Sequence, residues 1–349
     1  RRPIRRIRTR HEGARVKVVI PLAGRGSRLR PHTHVTPKPL LRVGDKPVMG
    51  YILDELVGLG VEEGVFITGH LKEKIESYMR SEYPGFHADY VEQAVQNGTA
   101  GAVHLARPYV TEDVLIIFVD TLFDADLSLA KRLPEDVAGV IWVKEVEDYQ
   151  RFGVVITDEE GFMQRIIEKP REPISKLANI GLYYIRDWKL LFEGIDHVLA
   201  TPPGPGGEYF LTDAFQYMVD RGARIKTVEV EGWYDAGKPD TLLATNRHVL
   251  ETSRGRRPQP REGVVIHDPV HIADGVELEA SEIGPNVTIS TASRVVGSRL
   301  RNVIVGEGAR LEDCDLHDSL VGNETWLTSV RGQVDVGDHS VVKGEPPAS

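Results

Sequence analysis

The chain has 349 residues, of which 41% are hydrophobic and 27% charged, a balance that supports about two globular domains and excludes a disordered or fibrous protein. Its longest aliphatic–aromatic run, Val114–Val119, falls far short of the ~20 residues of a membrane helix, and the single cysteine, Cys314, excludes an intrachain disulfide framework and a cysteine-built zinc site. The net charge is −9, yet residues 1–10 hold six arginines and no acid; the remainder therefore carries −15, which argues against broad recognition of nucleic acid.

Residues 1–14 read as a basic, disordered extension. No apolar segment follows it as a signal peptide would require, so the expectation is a cytoplasmic protein. From Arg15 onward short β-branched runs alternate with amphipathic stretches. Val16–Ile20, Val65–Thr68, Val114–Val119 and Val137–Val143 are predicted as buried strands. Between them, Val48–Leu59 brings Val48, Tyr51, Ile52, Leu56 and Leu59 onto one helical face, with Gly60 as the stop, and 71–80 and 99–106 also read as helices. Strand and helix in alternation over 15–251 predict an α/β domain, a Rossmann-like mixed and mainly parallel sheet, with ligands at the carboxyl ends of its strands.

Residues 252–263, TSRGRRPQPREG, contain no aliphatic or aromatic residue and read as a linker. Beyond it, over 264–349, helical periodicity stops. IADGVEL at 272, IGPNVTI at 283, VGEGARL at 305, VGNETWL at 321 and VGDHSVV at 336 each return an aliphatic residue six positions after the first. This pattern resembles the hexapeptide left-handed β-helix, whose coils of about 18 residues would allow only about four here.

The first strand runs into Pro21-Leu22-Ala23-Gly24-Arg25-Gly26-Ser27-Arg28-Leu29-Arg30-Pro31. Glycines let backbone N–H groups approach a phosphate, and arginine supplies compensating charge, so Leu22, Ala23, Gly24, Gly26 and Ser27 are nucleotide-binding candidates. Leu29 rules out G-x-G-x-x-G, and no P-loop is present. By itself such a loop is equally an ordinary turn. Lys38, set between Pro37 and Pro39, sits on a stiff segment able to hold its ammonium toward the loop, the alternative being a solvated lysine.

The segment AGRGSRLRPHTHVTPKPLL resembles the signature G-x-G-[ST]-R-x-x-P-x-T…P-K-[PQ]-L of the sugar-nucleotide nucleotidyltransferases, in the manner of the glucose-1-phosphate thymidylyltransferases and the uridylyl- and guanylyltransferases. The resemblance runs from about Lys17 to about Leu250 and is renewed in order at four later places. In Glu92-Gln93-Ala94-Val95-Gln96-Asn97-Gly98-Thr99-Ala100, the resemblance implies that Gln93, Gly98 and Thr99 contact the nucleobase; read alone, these residues are a turn with a Thr N-cap. Asp120 ends an apolar strand, a placement that suits a hard cation, and Val119 stands where the family has glycine. Asp124 and Asp126 read as solvated or helix-capping acids. Around Arg151-Phe152-Gly153, Ile167-Glu168-Lys169-Pro170 and Asn179-Ile180-Gly181, the resemblance implies a sugar-phosphate pocket lined by Gly153, Glu168, Lys169 and Asn179. Read alone, Glu168-Lys169 is an exposed pair before a proline turn. The last place is Gly207–Asp213 followed by Gly232-Trp233-Tyr234-Asp235-Ala236-Gly237, where the resemblance makes Asp235 the second carboxylate on a Mg²⁺ shared with Asp120. Trp233 and Tyr234 are otherwise core aromatics.

The implied reaction joins a sugar 1-phosphate to a nucleoside triphosphate, dTTP or UTP with glucose 1-phosphate first among the pairs, and releases pyrophosphate. The nucleophile is already an anion, so the demand is for positioning and charge neutralisation, not for a general base. Arg28, Lys38 and Lys169 are the residues expected to meet it. Rival expectations are a mannose-1-phosphate guanylyltransferase, a non-catalytic regulatory homologue, and a bifunctional enzyme whose β-helix transfers acyl groups using His271, His317 or His339 as base. A homo-oligomer formed through the β-helix or the catalytic domain is expected; nucleic-acid and membrane partners are not.

Overall fold

β-branched runs flanked by Gly, Pro and acidic turns fold as strands in the computed structural model, which describes residues 16–252 and 262–345. The expected extension at 1–14 and most of the linker at 252–263 lie outside the described residues. Val16–Pro21 pairs in parallel with Glu63–Thr68 on one side and Asp113–Ile117 on the other, and Glu63–Thr68 pairs in parallel with His87–Glu92. Beyond Asp113–Ile117 the pairing turns antiparallel through Leu177–Ile185, which carries Gly139–Glu145 and Gly153–Thr157, and Met163–Glu168 follows outside. Ile225–Glu229 adds a further parallel partner to Gly139–Glu145.

The side-chain period of two divides these strands cleanly. Val18, Ile20, Phe66, Leu115 and Ile117 enter one core, whereas Val19, Val65, Ile67, Val114 and Ile116 enter the other. Helices Val48–Gly58, Lys72–Glu82 and Pro239–Thr252 cover the first face; Thr99–His104, Trp188–Leu199 and Leu211–Asp220 cover the second. The first helix stops where expected, with Gly60 at φ +79° just beyond it. Strand ends differ from the sequence reading by a few residues. The strand expected to continue to Val119 ends at Ile117; Phe118 still donates its N–H to Gly181 of the neighbouring strand, and the chain turns at Val119 and Asp120. No helix among the described residues is long and apolar enough to cross a membrane.

The C-terminal part is built from short strands that pair only in parallel. Glu277 pairs with Arg294, Arg294 with Arg310, Arg310 with Trp326 and Trp326 with Val341, steps of 17, 16, 16 and 15 residues. The expected 18-residue coil is therefore too long. At the turns between strands, single residues such as Ala292, Asn302, Asp313 and His339 take positive φ. The tighter coils give this face five strands. The interior is a continuous stack of aliphatic residues, including Val287, Val303, Leu311 and Leu327, with Cys314 buried among them.

The β-helix does not stand apart from the α/β domain. Its Ile304 and Leu320 belong to the first core of that domain, packed with Leu242 and Val249. Asn246, fully buried on helix Pro239–Thr252, accepts the Gly44 N–H at 2.8 Å and the Thr288 hydroxyl at 2.7 Å, tying both parts to one side chain.

Candidate active site

The carboxyl ends of the parallel strands carry Leu22, Gly69, Gln93 and Asp120 to one crest, as the strand order requires. There a cavity of about 580 Å³ is lined by the glycine loop from Pro21 to Arg28 and by Lys38, Gln93, Gly98, Thr99, Asp120 and Glu208. Each residue expected to bind nucleotide from that list, Leu22, Ala23, Gly24, Gly26, Ser27, Gln93, Gly98 and Thr99, faces this one space.

Gly26 has φ +59°, and a Cβ there would stand 3.0 Å from the Thr33 methyl and 3.1 Å from Lys38 Cβ. Thr33 in turn donates its hydroxyl to the Gly26 carbonyl at 2.9 Å, folding the Pro-Lys-Pro segment back on the loop. The result places Lys38 Nζ 2.9 Å from Asp120 Oδ2. Burial pushes the Asp120 carboxyl upward, but the Lys38 ammonium and its hydrogen bond, with Arg28 beyond, outweigh this and hold it below the usual carboxylate range. Its side chain is still 44% accessible, through the cavity.

The crest strand Thr121–Phe123 pairs antiparallel with Trp233–Asp235, setting Asp235 opposite Thr121, the residue that follows Asp120 in the chain. At Gly237, a Cβ would meet Asp235 Oδ1 at 2.6 Å and Arg28 Nη2 at 3.2 Å, so acid and guanidinium converge on the same backbone. Among the described residues no group of three or more His, Cys, Asp or Glu side chains gathers as a metal cage. Asp120 on the cavity wall and Asp235 on the adjoining strand are two oxygen-donor carboxylates that fit Mg²⁺, which takes one or two carboxylates and completes its shell with phosphate and water.

A second cluster adjoins the first. A Cβ on Gly153 would lie 2.3 Å from Asn179 Nδ2 and 2.9 Å from both Glu168 Oε2 and the Thr212 methyl, which shows how tightly these four residues converge. Asn179 donates to the Gly153 carbonyl at 2.9 Å, and Thr212 donates to Glu168 at 3.2 Å. Burial raises the Glu168 carboxyl against the opposing charge of Lys169, whose Nζ is 3.7 Å away and 5.0 Å from the Phe210 ring centroid. Lys169 itself is half exposed at φ +44°. Tyr183 lies between the clusters: its hydroxyl donates to Asn179, its ring meets Phe118 of the cavity edge-on at 6.4 Å, and burial with the charges of Glu168 and Asp120 opposes its ionisation.

Several positions depart from their sequence reading. Thr99 is not an N-cap; Gly98 occupies that position, and the Thr99 hydroxyl accepts the Leu211 N–H at 2.9 Å. This contact joins the 97–100 turn to 209–211, and Gly98 is required there because a Cβ would fall 2.4 Å from the Tyr209 carbonyl. Asp126, by contrast, caps the turn Leu127–Arg132 in keeping with its reading as a capping acid, while Asp124 accepts from Tyr234 at 3.1 Å. Tyr234 and Trp233 are both half-buried against the first core, Tyr234 stacked on His248 at 3.5 Å and Trp233 on Phe152 at 5.0 Å. Of the three histidines considered for acyl transfer, His271 is 7% exposed, His317 pairs with Asp318 at 3.1 Å, and His339 forms a corner of a different coil.

Sequence reading passed over Gln96, Glu208, Thr212, Phe118 and Tyr183. Gln96, which donates to the Ala23 carbonyl at 2.6 Å, and Thr212 both sit inside motif segments, which was the available signal. Tyr183 likewise closes the segment Asn179-Ile180-Gly181-Leu182-Tyr183, whereas Phe118 carries no such signal, since the strand face it occupies is decided by pairing.

Comparison with known proteins gives the family. The model of the family described as nucleotidyl transferase matches residues 17–252. A low-salt glycan biosynthesis nucleotidyltransferase of Haloferax volcanii is 32% identical over 94% of this chain and 98% of its own length. A glucose-1-phosphate thymidylyltransferase of Streptomyces antibioticus is 29% identical over 94% of this chain and 99% of its own. Among solved structures, a UDP-glucose pyrophosphorylase complexed with UDP-glucose superposes with a TM-score of 0.62 at 25% identity, covering 68% of this chain and 99% of that one. With the family model spanning the whole α/β domain, this chain belongs to the nucleotidyl transferase family.

Proposed function

We propose that the protein transfers a nucleotidyl group from a nucleoside triphosphate to a sugar 1-phosphate, releasing pyrophosphate, with dTTP or UTP and glucose 1-phosphate as the first pair to test. One observation carries the reading. Lys38 and Asp120 meet at 2.9 Å on the wall of a cavity that the glycine loop also lines. Support for the substrate pair comes from the thymidylyltransferase and the UDP-glucose-bound structure among its relatives.

The chemistry follows from charge. An oxygen of the sugar phosphate attacks the α-phosphorus of the triphosphate, the bond to the bridging oxygen breaks, and pyrophosphate leaves with that electron pair. Both reactants are anions, so the barrier is dominated by bringing them together and by charge on the α-phosphoryl and leaving groups. Backbone N–H groups at Gly24 and Gly26 cradle the triphosphate, Arg28 balances the departing pyrophosphate, and Lys38 turns from Asp120 toward the α-phosphate. Gln93, Gly98 and Thr99 hold the base. Lys169 receives the sugar phosphate, with Glu168 and Asn179 on its hydroxyls and Gly153 leaving room for the ring. Asp120 and Asp235 would hold Mg²⁺, which when bound neutralises phosphate charge.

Pyrophosphate release from the full chain with Mg²⁺, across five nucleoside triphosphates each paired with glucose, mannose, galactose and glucosamine 1-phosphates, tests the reading. Release that needs both substrates supports it and names the pair. No release from folded protein in any combination overturns it.

A further inference from the structure

The loop between Arg28 and Lys38 must hold two cations in register with a triphosphate, yet it has no ladder of its own. It consists of three separate single turns, Ser27–Leu29, His32–His34 and Lys38–Leu40, each closed by isolated backbone bonds such as Leu29 N–H to Gly26 at 2.9 Å and His34 N–H to Pro31 at 3.1 Å. What braces its middle comes from more than three hundred residues away. On the final coil of the β-helix, Asp335 Oδ1 lies 2.5 Å from His32 Nε2, whose side chain is only 7% exposed. Two residues on, the Pro31 ring rests against Gly337 so closely that a Cβ there would fall 2.8 Å from Pro31 Cβ. Asp338 accepts the Thr36 hydroxyl at 3.4 Å and is itself held by the backbone N–H and side-chain amide of Asn323, at 2.9 and 3.0 Å.

All three contacts fall at residues 31, 32 and 36, between the two cations. A misplacement of about 1 Å in such a loop is enough to cost a phosphate-transfer site much of its rate or affinity. We propose that the last coil of the β-helix is a clamp on the triphosphate loop, with Asp335 acting through His32 as a positioning residue for nucleoside triphosphate binding. The inference rests on the reading of the cavity as a triphosphate site. It gives the β-helix a part in the reaction beyond packing, since the clamp touches only the loop and leaves the Gly153–Asn179 cluster alone.

The test uses the full chain and the substrate pair that wild type turns over, with Asp335→Ala, Asp335→Asn and His32→Ala. Asparagine keeps an acceptor oxygen for the imidazole N–H; alanine does not. The expected result is a KM for the triphosphate raised about tenfold in both alanine variants, with the KM for the sugar phosphate and the melting temperature unchanged, and recovery to near wild type in Asp335→Asn. Unchanged triphosphate KM in the alanine variants overturns the clamp. So does a rise in both KM values together with a lowered melting temperature, because that is loss of structure. If wild type turns over no pair, the functional reading fails on its own, and amide hydrogen exchange over residues 26–38 decides the clamp. Faster exchange in Asp335→Ala than in Asp335→Asn supports it, and equal exchange overturns it.

Discussion

Lys38 Nζ and Asp120 Oδ2 are 2.9 Å apart although 82 positions separate them in the chain. The pair joins the signature loop to the end of a central strand, and it sets the charge of the cavity wall.

Replacing Asp120 by asparagine removes the charge while preserving shape. Since electrostatic stabilisation is the main demand of the reaction, Mg²⁺-dependent kcat should fall about 10³-fold or more, with the melting temperature nearly unchanged. Steady-state pyrophosphate release and a thermal melt on the same preparation check this. Near-normal turnover would remove Asp120 from the site. Chelation with EDTA should abolish release and leave the melt intact, because two carboxylates near the surface of a cavity contribute little to the core.

Gly153→Ala should separate the two substrates. Its methyl would have to displace Asn179 Nδ2, 2.3 Å from the ideal Cβ position, so the cluster proposed to hold the sugar deforms while the glycine loop does not. The KM for sugar 1-phosphate is expected to rise about tenfold or more with the triphosphate KM unchanged. A variant with both values unaltered would place the sugar elsewhere.

Glu55 provides a pH dependence independent of catalysis. It lies with Tyr51, Asp124, Tyr234 and His248 around a smaller cavity of about 270 Å³, and burial first, then the charge of Asp124, raises its carboxyl up to about 7 from an ordinary 4.5. A carboxyl raised in the folded state stabilises below its unfolded pKa, and that contribution is lost as pH climbs through the folded value. Wild type should therefore lose melting temperature between about pH 4.5 and 7 on account of this group. Glu55→Gln should match wild type near pH 4.5 and melt higher above about pH 7.5, as read by scanning calorimetry. Parallel curves across that range would refute the assignment.

Asn246 should prove costly to remove. Alanine there leaves the Gly44 N–H and the Thr288 hydroxyl without their 2.8 and 2.7 Å partner inside a buried junction. The expected loss is about 2–3 kcal/mol in denaturant unfolding. Because this side chain bonds to both parts, the unfolding of the β-helix and the α/β domain should also become less concerted.

Much of the site was legible because its chemistry is local. Gly24, Gly26, Arg28 and Lys38 lie within fifteen residues, and flanking prolines and glycines restrict that stretch whatever surrounds it. Asp120 was legible from its place after an apolar run. The periodic aliphatic residues from 272 to 342 likewise announced parallel coils, because each coil must bury the same positions. The coil length was not legible: it is set by the register in which one coil stacks on the next, at steps of 15 to 17 residues.

The sequence alone determined which residue types could meet phosphate charge and on which kinds of element they stand, since propensity, periodicity and turn chemistry act over a few neighbouring residues. Tertiary structure decided what required long-range pairing. It set Asp235 beside Asp120 through the Thr121 ladder, turned Thr99 from a helix cap into a tie to Leu211, and gathered Gly153, Glu168, Asn179 and Thr212 at one point. It also brought Asp335 to His32 across 303 positions. Such contacts depend on strand order and on how one core packs against the next, and no local window of residues contains that information.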